Sequence, residues 1–128
     1  MTGFSLPSDL RYASTHEWCD QQGDVVAVGI TDYAQDQLSD VVFVELPEVG
    51  EDFETGQTVA TVESVKAAAD VYAPMAGRVT EVNGTLLDNP EEINSDPYGS
   101  WFLKLEVAPG TDNPDLLDAA GYRALTQT

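Results

Sequence analysis

The chain contains 128 residues, 42% of them hydrophobic, and its 23 acidic and 5 basic side chains give a formal charge of −18. A charge of this sign repels nucleic-acid phosphates and anionic lipid head groups, so both are unfavourable partners. The length and the apolar share suit one domain whose core needs no metal or disulfide support.

The first segments of the sequence indicate a hairpin that follows an irregular start. Residues 1–9 are expected to be loosely ordered, and the first β-prone segment begins at Leu10. Residues 15–20 alternate between polar and apolar types, and 25–30 are mostly apolar. Because a turn sequence around Gly23 separates the two segments, they are predicted to be paired strands.

A helix and a further strand are predicted next. Asp32 followed three residues later by Gln35 is a helix-start pattern and predicts a short helix over about 31–38. Residues 41–46 form a β-branched apolar segment that Pro47 ends, which is typical of a buried strand.

The middle of the chain predicts a hairpin with a lysine at its tip. Residues 57–65 and 70–82 are rich in Val, Thr, Ala and Tyr, and they flank a short Lys-Ala-Ala segment that begins at Lys66. A long amine on a tight turn is accessible to a modifying enzyme. The alternative is an ordinary solvated lysine.

The last third adds one helical turn, one strand and one helix. Pro90 and the acids after it indicate a short helical turn, and 101–107 indicate a strand. Asn113 and Pro114 are expected to begin a C-terminal helix with one apolar face, formed by Leu116, Leu117, Ala120 and Ala124. Many short strands with small helices predict a mainly β, antiparallel sandwich or flattened barrel.

Other kinds of chemistry are hard to place in this sequence. Cys19 is the only cysteine and His16 the only histidine, so neither an internal disulfide nor a multi-histidine zinc site is available. No glycine-rich phosphate loop is present. We therefore expect no active site of the chain's own. The large aromatic residues are interpreted as core residues: Trp18, Trp101 and Phe43.

The strong acidity has two interpretations, which the sequence leaves open. Dense carboxylates with few lysines are typical of proteins from a salty cytoplasm, and they also attract basic faces of partner proteins. No apolar segment approaches the roughly 20 residues of a membrane span, and Met1 to Pro7 lack a signal sequence's features. A cytoplasmic location is expected.

The segment Glu63-Ser64-Val65-Lys66-Ala67 resembles the lipoyl-attachment motif of the glycine cleavage system H-protein family. The similarity extends over about residues 10–125, in the family's order and spacing. The other segments that carry the resemblance are His16-Glu17-Trp18, residues 29–35, residues 40–47, residues 70–74 and residues 94–99.

This resemblance implies a fold and a role. The fold would be a barrel-sandwich hybrid of the lipoyl/biotinyl type with short peripheral helices and a C-terminal helix, forming a single lipoyl-carrier domain over 10–128. Lys66 would be amide-linked to lipoic acid, and the protein would be a monomeric, non-catalytic carrier. It would pass the aminomethyl group of decarboxylated glycine between glycine decarboxylase (P protein), aminomethyltransferase (T protein) and dihydrolipoamide dehydrogenase (L protein).

The resemblance also implies roles for individual side chains. The loaded arm would end in a protonated amine, which acids lining a cleft could hold by charge-assisted hydrogen bonds. The candidate cleft residues are Thr15, His16, Glu17 and Asp70. Glu63 and Asp70 flank the lysine, and they are candidates for recognition by a lipoylating enzyme or are ordinary surface acids.

Two alternative functions stay open, and the sequence departs from the family's usual pattern at several positions. An H-like protein could donate lipoate to other apoproteins, and a lipoyl or biotinyl domain could serve another acyl- or carboxyl-transfer complex. Biotin sites resemble Ala-Met-Lys-Met, whereas Val65 and Ala67 flank this lysine.

Ser39 stands where the family usually has glycine, Ala69 where serine is common, and the loop 98–101 is one residue shorter than usual.

Overall fold

The computed structural model describes residues 5–126, and residues 1–4 of the segment predicted to be loose lie outside this range. Within this range the strands are β1 (Arg11–Tyr12), β2 (Glu17–Gln22), β3 (Val25–Ile30), β4 (Val41–Glu45), β5 (Asp52–Phe53), β6 (Thr58–Ser64), β7 (Ala68–Tyr72), β8 (Gly77–Val82) and β9 (Leu103–Glu106). The helices of the described residues are α1 (Asp32–Leu38), α2 (Thr85–Asp88), α3 (Glu92–Ser95) and α4 (Ala119–Thr126).

The strands form two antiparallel sheets that share one hydrophobic core. The larger sheet has the order β1-β2-β3-β9-β8-β5 and the smaller one the order β4-β6-β7. Val28 and Leu105 of the larger sheet join Val44, Val62 and Val71 of the smaller sheet in this core. The prediction of a mainly β fold with a C-terminal helix is confirmed.

The β2–β3 pair and α1 form as predicted. Gly23 turns the chain with φ 65°, and Cys19 pairs with Val28 across the hairpin. Thr31 caps α1, because its Oγ1 accepts a hydrogen bond of 3.1 Å from the backbone N–H of Ala34. Burial raises the pKa of the Cys19 thiol to about 11, which fits an unreactive core side chain.

The hairpin predicted around Lys66 is present, but its second segment is divided. β7 ends at Tyr72, and the chain then crosses to the larger sheet, where β8 begins at Gly77. Pro74 lies in the crossing; it has no N–H to donate to a ladder, and its carbonyl accepts from the Asn113 side chain at 2.8 Å.

The prediction that residues 41–46 form a buried strand is wrong in part. Val41 and Val44 are buried, whereas Val42 and Phe43 are 53% and 49% exposed. The register of β4 against β6 shifts between Val41 and Phe43, so a β-bulge turns two successive apolar side chains outward. Phe43 is therefore not a core aromatic residue.

The two tryptophans differ in burial. Trp18 is buried, while Trp101 is half-buried beneath Lys104, whose Nζ lies 4.8 Å from the ring centroid. Trp18 packs on Gly29, its partner across the β2–β3 pair. A Cβ at Gly29 would lie 2.6 Å from the Trp18 ring, so this position requires glycine.

The C-terminal helix begins later than predicted. Asn113 forms a turn, in which its side chain accepts from the N–H of Asp115 at 3.0 Å. Leu117 instead extends the larger sheet through two backbone hydrogen bonds with Tyr12. Asp118 starts α4, because its carboxylate accepts from the N–H of Gly121 at 2.8 Å. Within residues 5–126, no helix has the length and apolarity to cross a membrane.

Candidate functional site

Lys66 lies at the exposed tip of the β6–β7 hairpin. The Ser64 hydroxyl oxygen accepts hydrogen bonds from the backbone N–H groups of Lys66 and Ala67, at 3.1 and 3.0 Å. The Ser64 backbone N–H also donates to the Ala67 carbonyl at 2.8 Å. One serine side chain therefore closes the turn and fixes the position from which the lysine projects.

The tip is tied to helix α1 on one side. The N–H of Val65 donates to the carbonyl of Asp40 at 3.0 Å, in the segment between α1 and β4. The Lys66 ammonium contacts the carbonyl of Gln37, in the last turn of α1, at 3.4 Å. The C-terminal end of a helix attracts a cation, so the bare lysine leans toward α1.

A cleft of about 300 Å³ opens between the hairpin, α1 and the chain entering β2. All four residues proposed from the family resemblance line it: Thr15, His16, Glu17 and Asp70. The remaining lining is largely apolar and consists of Ile30, Tyr33, Ala34, Gln37, Leu38, Val62, Ala69 and Val71. The structure thus brings these four side chains together beside the lysine, while their role stays a prediction.

Glu17 is a buried carboxyl in the cleft wall, with only 1% of its surface exposed. The Thr15 hydroxyl donates to one carboxylate oxygen, and the N–H of Tyr72 donates to the other at 3.1 Å. Burial outweighs these two hydrogen bonds and raises the pKa of Glu17 to about 7. The carboxyl therefore changes its charge near neutral pH.

His16 is held by contacts with two tyrosines. Its backbone has φ 81°, and its ring lies 5.0 Å from that of Tyr33. Its Nδ1 is 2.7 Å from the hydroxyl of Tyr122, which also lies 2.8 Å from Thr31 Oγ1. Burial lowers the pKa of His16, so the imidazole is neutral at pH 7.

Glu63 and Asp70 lie on opposing strands near the hairpin tip. The register of β6 against β7 pairs Thr61 with Asp70 and Glu63 with Ala68, so the two acids are diagonal neighbours on one face. Asp70 also lines the cleft, and Glu63 pairs with Phe43 of β4. Their role in recognition stays a prediction. Sequence reasoning missed Tyr122, since nothing local marks a tyrosine that contacts a histidine 106 residues away.

Across residues 5–126, no group of three His, Cys, Asp or Glu side chains is arranged to hold a metal ion. The chemistry that this cleft can support is binding: an apolar wall suits a neutral chain, and Glu17 and Asp70 suit a cationic end.

Comparisons with known proteins show similarity to a single family. A family model described as Glycine cleavage H-protein matches residues 10–128. The Glycine cleavage system H protein of Thermus thermophilus is 53% identical over 124 residues, which cover 96% of this chain and 97% of the relative. Glycine cleavage system H protein 2 of Pseudomonas aeruginosa is 51% identical over 121 residues, 94% of each chain. The crystal structure of a glycine cleavage system H protein from Mycobacterium marinum superposes with a TM-score of 0.86 at 39% identity, covering 93% of this chain and 97% of the other.

Proposed function

Because the chain belongs to the glycine cleavage H-protein family, we propose that it is the lipoyl carrier of that system and that Lys66 is its attachment point. The observation that carries this proposal is the placement of the Lys66 amine: it projects from an exposed turn at the rim of a cleft with an apolar wall and two carboxyl groups.

The cleft fits the group that the proposal requires. Lipoic acid, when amide-linked to Lys66, supplies the disulfide that accepts the aminomethyl group left by glycine decarboxylation. The amide removes the lysine's charge, so the lengthened side chain can lie along Ile30 and Val62. Glu17 and Asp70 can then bind the protonated amine at its end by charge-assisted hydrogen bonds.

Residues of this chain also protect the cargo from water. Glu17 is already fixed by Thr15 and the Tyr72 backbone, so it needs little reorganisation to bind a cation. Seating the amine in the cleft lowers its contact with solvent and slows its loss. The chain itself needs no catalytic residue, because it holds and presents the cargo while other enzymes react with it.

The proposal includes the partners of the carrier. They are glycine decarboxylase, aminomethyltransferase and dihydrolipoamide dehydrogenase, together with a lipoylating enzyme for which Glu63 and Asp70 are the candidate recognition residues. The lipoylating enzyme must reach the lysine and the other three must reach the end of the loaded arm, and we propose that the carrier works as a cytoplasmic monomer.

The test uses the two lysines of the chain, Lys66 and Lys104. Wild type, Lys66→Arg and Lys104→Arg are expressed in a host that synthesises lipoate, and their intact masses are measured. We expect a lipoyl mass on the wild type and on Lys104→Arg, mapped to Lys66, and none on Lys66→Arg. Only the two lipoylated proteins should then support glycine decarboxylation with the partner enzymes. A lipoyl mass on Lys66→Arg, or a biotin mass on Lys66, would refute the proposal.

A further inference from the structure

Three exposed apolar side chains lie at the hairpin tip and on the neighbouring strand β4. Val42 and Phe43 face outward from the bulge in β4, and Val65 directly precedes Lys66 with 70% of its surface exposed. The N–H of Val65 is bonded to the carbonyl of Asp40, which brings the tip beside the start of β4. We call Val42, Phe43 and Val65 the tip patch.

The tip patch is a concentration of exposed apolar surface. Seven large hydrophobic side chains are exposed within residues 5–126, and three of them belong to the patch. The bulge is necessary for this, because a regular strand would turn one of two successive side chains into the core. Contiguous apolar surface of this kind marks an interaction site more often than scattered exposed residues do.

Phe43 of the patch and the buried side chains of the cleft lie on opposite faces of the smaller sheet. Val62 and Val71 line the cleft and are buried, so they face inward. Phe43 pairs with Glu63, the neighbour of Val62, and both are exposed on the outer face. A protein bound to the patch would therefore leave the cleft open.

On the basis of the proposed function, we propose that the tip patch docks the enzyme that attaches lipoate to Lys66, and that this enzyme presents an apolar recess bordered by Lys or Arg. An unmodified lysine has only a four-carbon stem, so the acylating active site must touch the hairpin tip. Enzymes that act on the loaded arm meet its distant end and have no such need.

The charges around the patch specify the border of the partner's recess. Glu63 lies opposite Phe43, Glu45 follows Phe43 on the same face, and Asp40 adjoins Val65. No lysine or arginine occurs between Arg11 and Lys66 in the sequence. An apolar centre with an acidic rim is complementary to an apolar recess with a basic rim.

The acylation that docking promotes is balanced as follows. ATP activates the lipoate carboxylate as lipoyl adenylate and releases pyrophosphate. The neutral Nζ of Lys66 attacks the acyl carbon, the new C–N amide bond forms, and the bond between the acyl carbon and the phosphate oxygen breaks. AMP leaves, and the amine gives up a proton.

The experiment measures KM and kcat for the unlipoylated protein with a purified lipoate-protein ligase, ATP and lipoic acid. The variants are the double substitution Val42→Thr with Phe43→Thr, and separately Val65→Thr, which lies in the turn outside the sheet. The control is Val49→Thr, because Val49 is 61% exposed in the segment between β4 and β5. We expect KM to rise about tenfold for the double variant and severalfold for Val65→Thr, with kcat within about twofold of wild type.

The acidic rim is tested in the same assay. Raising the salt concentration should raise KM for wild type, and Glu63→Gln should reduce this dependence, whereas Glu54→Gln, at an exposed site outside the patch, should not. If wild type is acylated at Lys66 while the patch variants retain its KM, the docking proposal is wrong and the proposed function stands. If wild type is not acylated at Lys66, the proposed function itself fails. A wild-type dimer that the double substitution dissociates would show that the patch mediates self-association. This outcome would also overturn the docking proposal.

Discussion

Tyr122 and His16, 106 residues apart, are joined by a hydrogen bond of 2.7 Å between the tyrosine hydroxyl and Nδ1 of the imidazole. The same hydroxyl is 2.8 Å from Oγ1 of Thr31, the residue that caps α1. Burial raises the pKa of the Tyr122 phenol well above its usual value, so the hydroxyl keeps its proton. Through this one hydroxyl, α4 supports two parts of the cleft. One is the His16 side chain in one wall, and the other is the start of α1, which forms the opposite wall.

Tyr122→Phe is expected to loosen the cleft while leaving the fold intact. The loss of the hydroxyl frees His16 and weakens the α1 cap, at a cost of about 1 kcal/mol in unfolding free energy. Lipoylated protein loaded with the aminomethyl group should then lose it severalfold faster than wild type. The NMR signals of the imidazole, which are unambiguous because the chain has one histidine, should shift with the altered tautomer balance.

Tyr12→Phe is the matched control for this prediction. Tyr12 stacks on Tyr122 with centroids 5.1 Å apart, and its hydroxyl donates to the Pro7 carbonyl at 2.6 Å, outside the cleft. Tyr12→Phe should lower the free energy of unfolding by a similar amount, without changing the rate at which the aminomethyl group is lost or the imidazole signals. Equal acceleration in both variants would mean that Tyr122 supports the fold alone.

Ser39→Gly is expected to stabilise the protein. Ser39 follows α1 with φ 66° and ψ −149°, a conformation that glycine adopts readily and side chains disfavour. The hydrogen bonds seen here use backbone atoms, from the Ser39 N–H to Gln35 and from the Asn94 amide to the Ser39 carbonyl, so they survive the change. We expect a gain of about 1 kcal/mol in urea unfolding, and no gain for Ser39→Ala. A destabilised glycine variant would contradict this account.

The sequence predicted those elements whose local pattern agrees with their environment. The β2–β3 hairpin and α1 follow directly from alternation, the turn at Gly23 and the polar residues at the helix start. The exposure of Phe43 could not be predicted, because a bulge is a mismatch between two strands and leaves no mark within one of them. The prediction for Leu117 was wrong for a similar reason. Its spacing suits a helix, but its backbone pairs with that of Tyr12 in the larger sheet.

Some residues of the candidate site could be predicted from the sequence and others could not. Lys66 stands out in the sequence because lysine is rare in this chain and because it sits between two β-prone segments. The polar cleft residues came from family resemblance alone. Tyr122 supports the cleft indirectly, through hydrogen bonds to residues 91 and 106 positions away, and such contacts depend on the packing of α4 rather than on any local pattern.

Salt is expected to raise the melting temperature. The ion pairs found within residues 5–126 join Arg11 to Asp112, Arg78 to Asp52 and Lys104 to Glu81, and most of these side chains are well exposed, so screening them costs little. Repulsion among 23 acidic residues is screened at the same time, and this effect is larger. Thermal melts from very low to molar salt test the balance. Equal melting temperatures would count against a salt-adapted protein.

Glu17→Gln is expected to change how stability depends on pH. The pKa of Glu17 is about 7 in the folded protein against 4.5 for an ordinary glutamate, so the folded state binds more protons between these values. Wild-type stability should therefore fall as pH rises through this window, by up to about 3 kcal/mol from this one group. Below the window Glu17 is neutral, and the glutamine of the variant behaves similarly. In urea unfolding, the free energy of unfolding of the variant should rise relative to that of wild type from about pH 4.5 upward. Above about pH 7 the difference should be constant.

The same titration should govern how long the cargo is held. A protonated Glu17 cannot pair with a cationic amine, so the loaded arm should be lost faster as pH falls through about 7, and Glu17→Gln should be fast at every pH. Asp70→Asn is the control, since it removes an exposed carboxyl from the same cleft. It should accelerate unloading without altering the pH dependence of stability. If both variants changed that dependence alike, the effect would reflect the overall charge of the protein, and the buried position of Glu17 would have no special part in it.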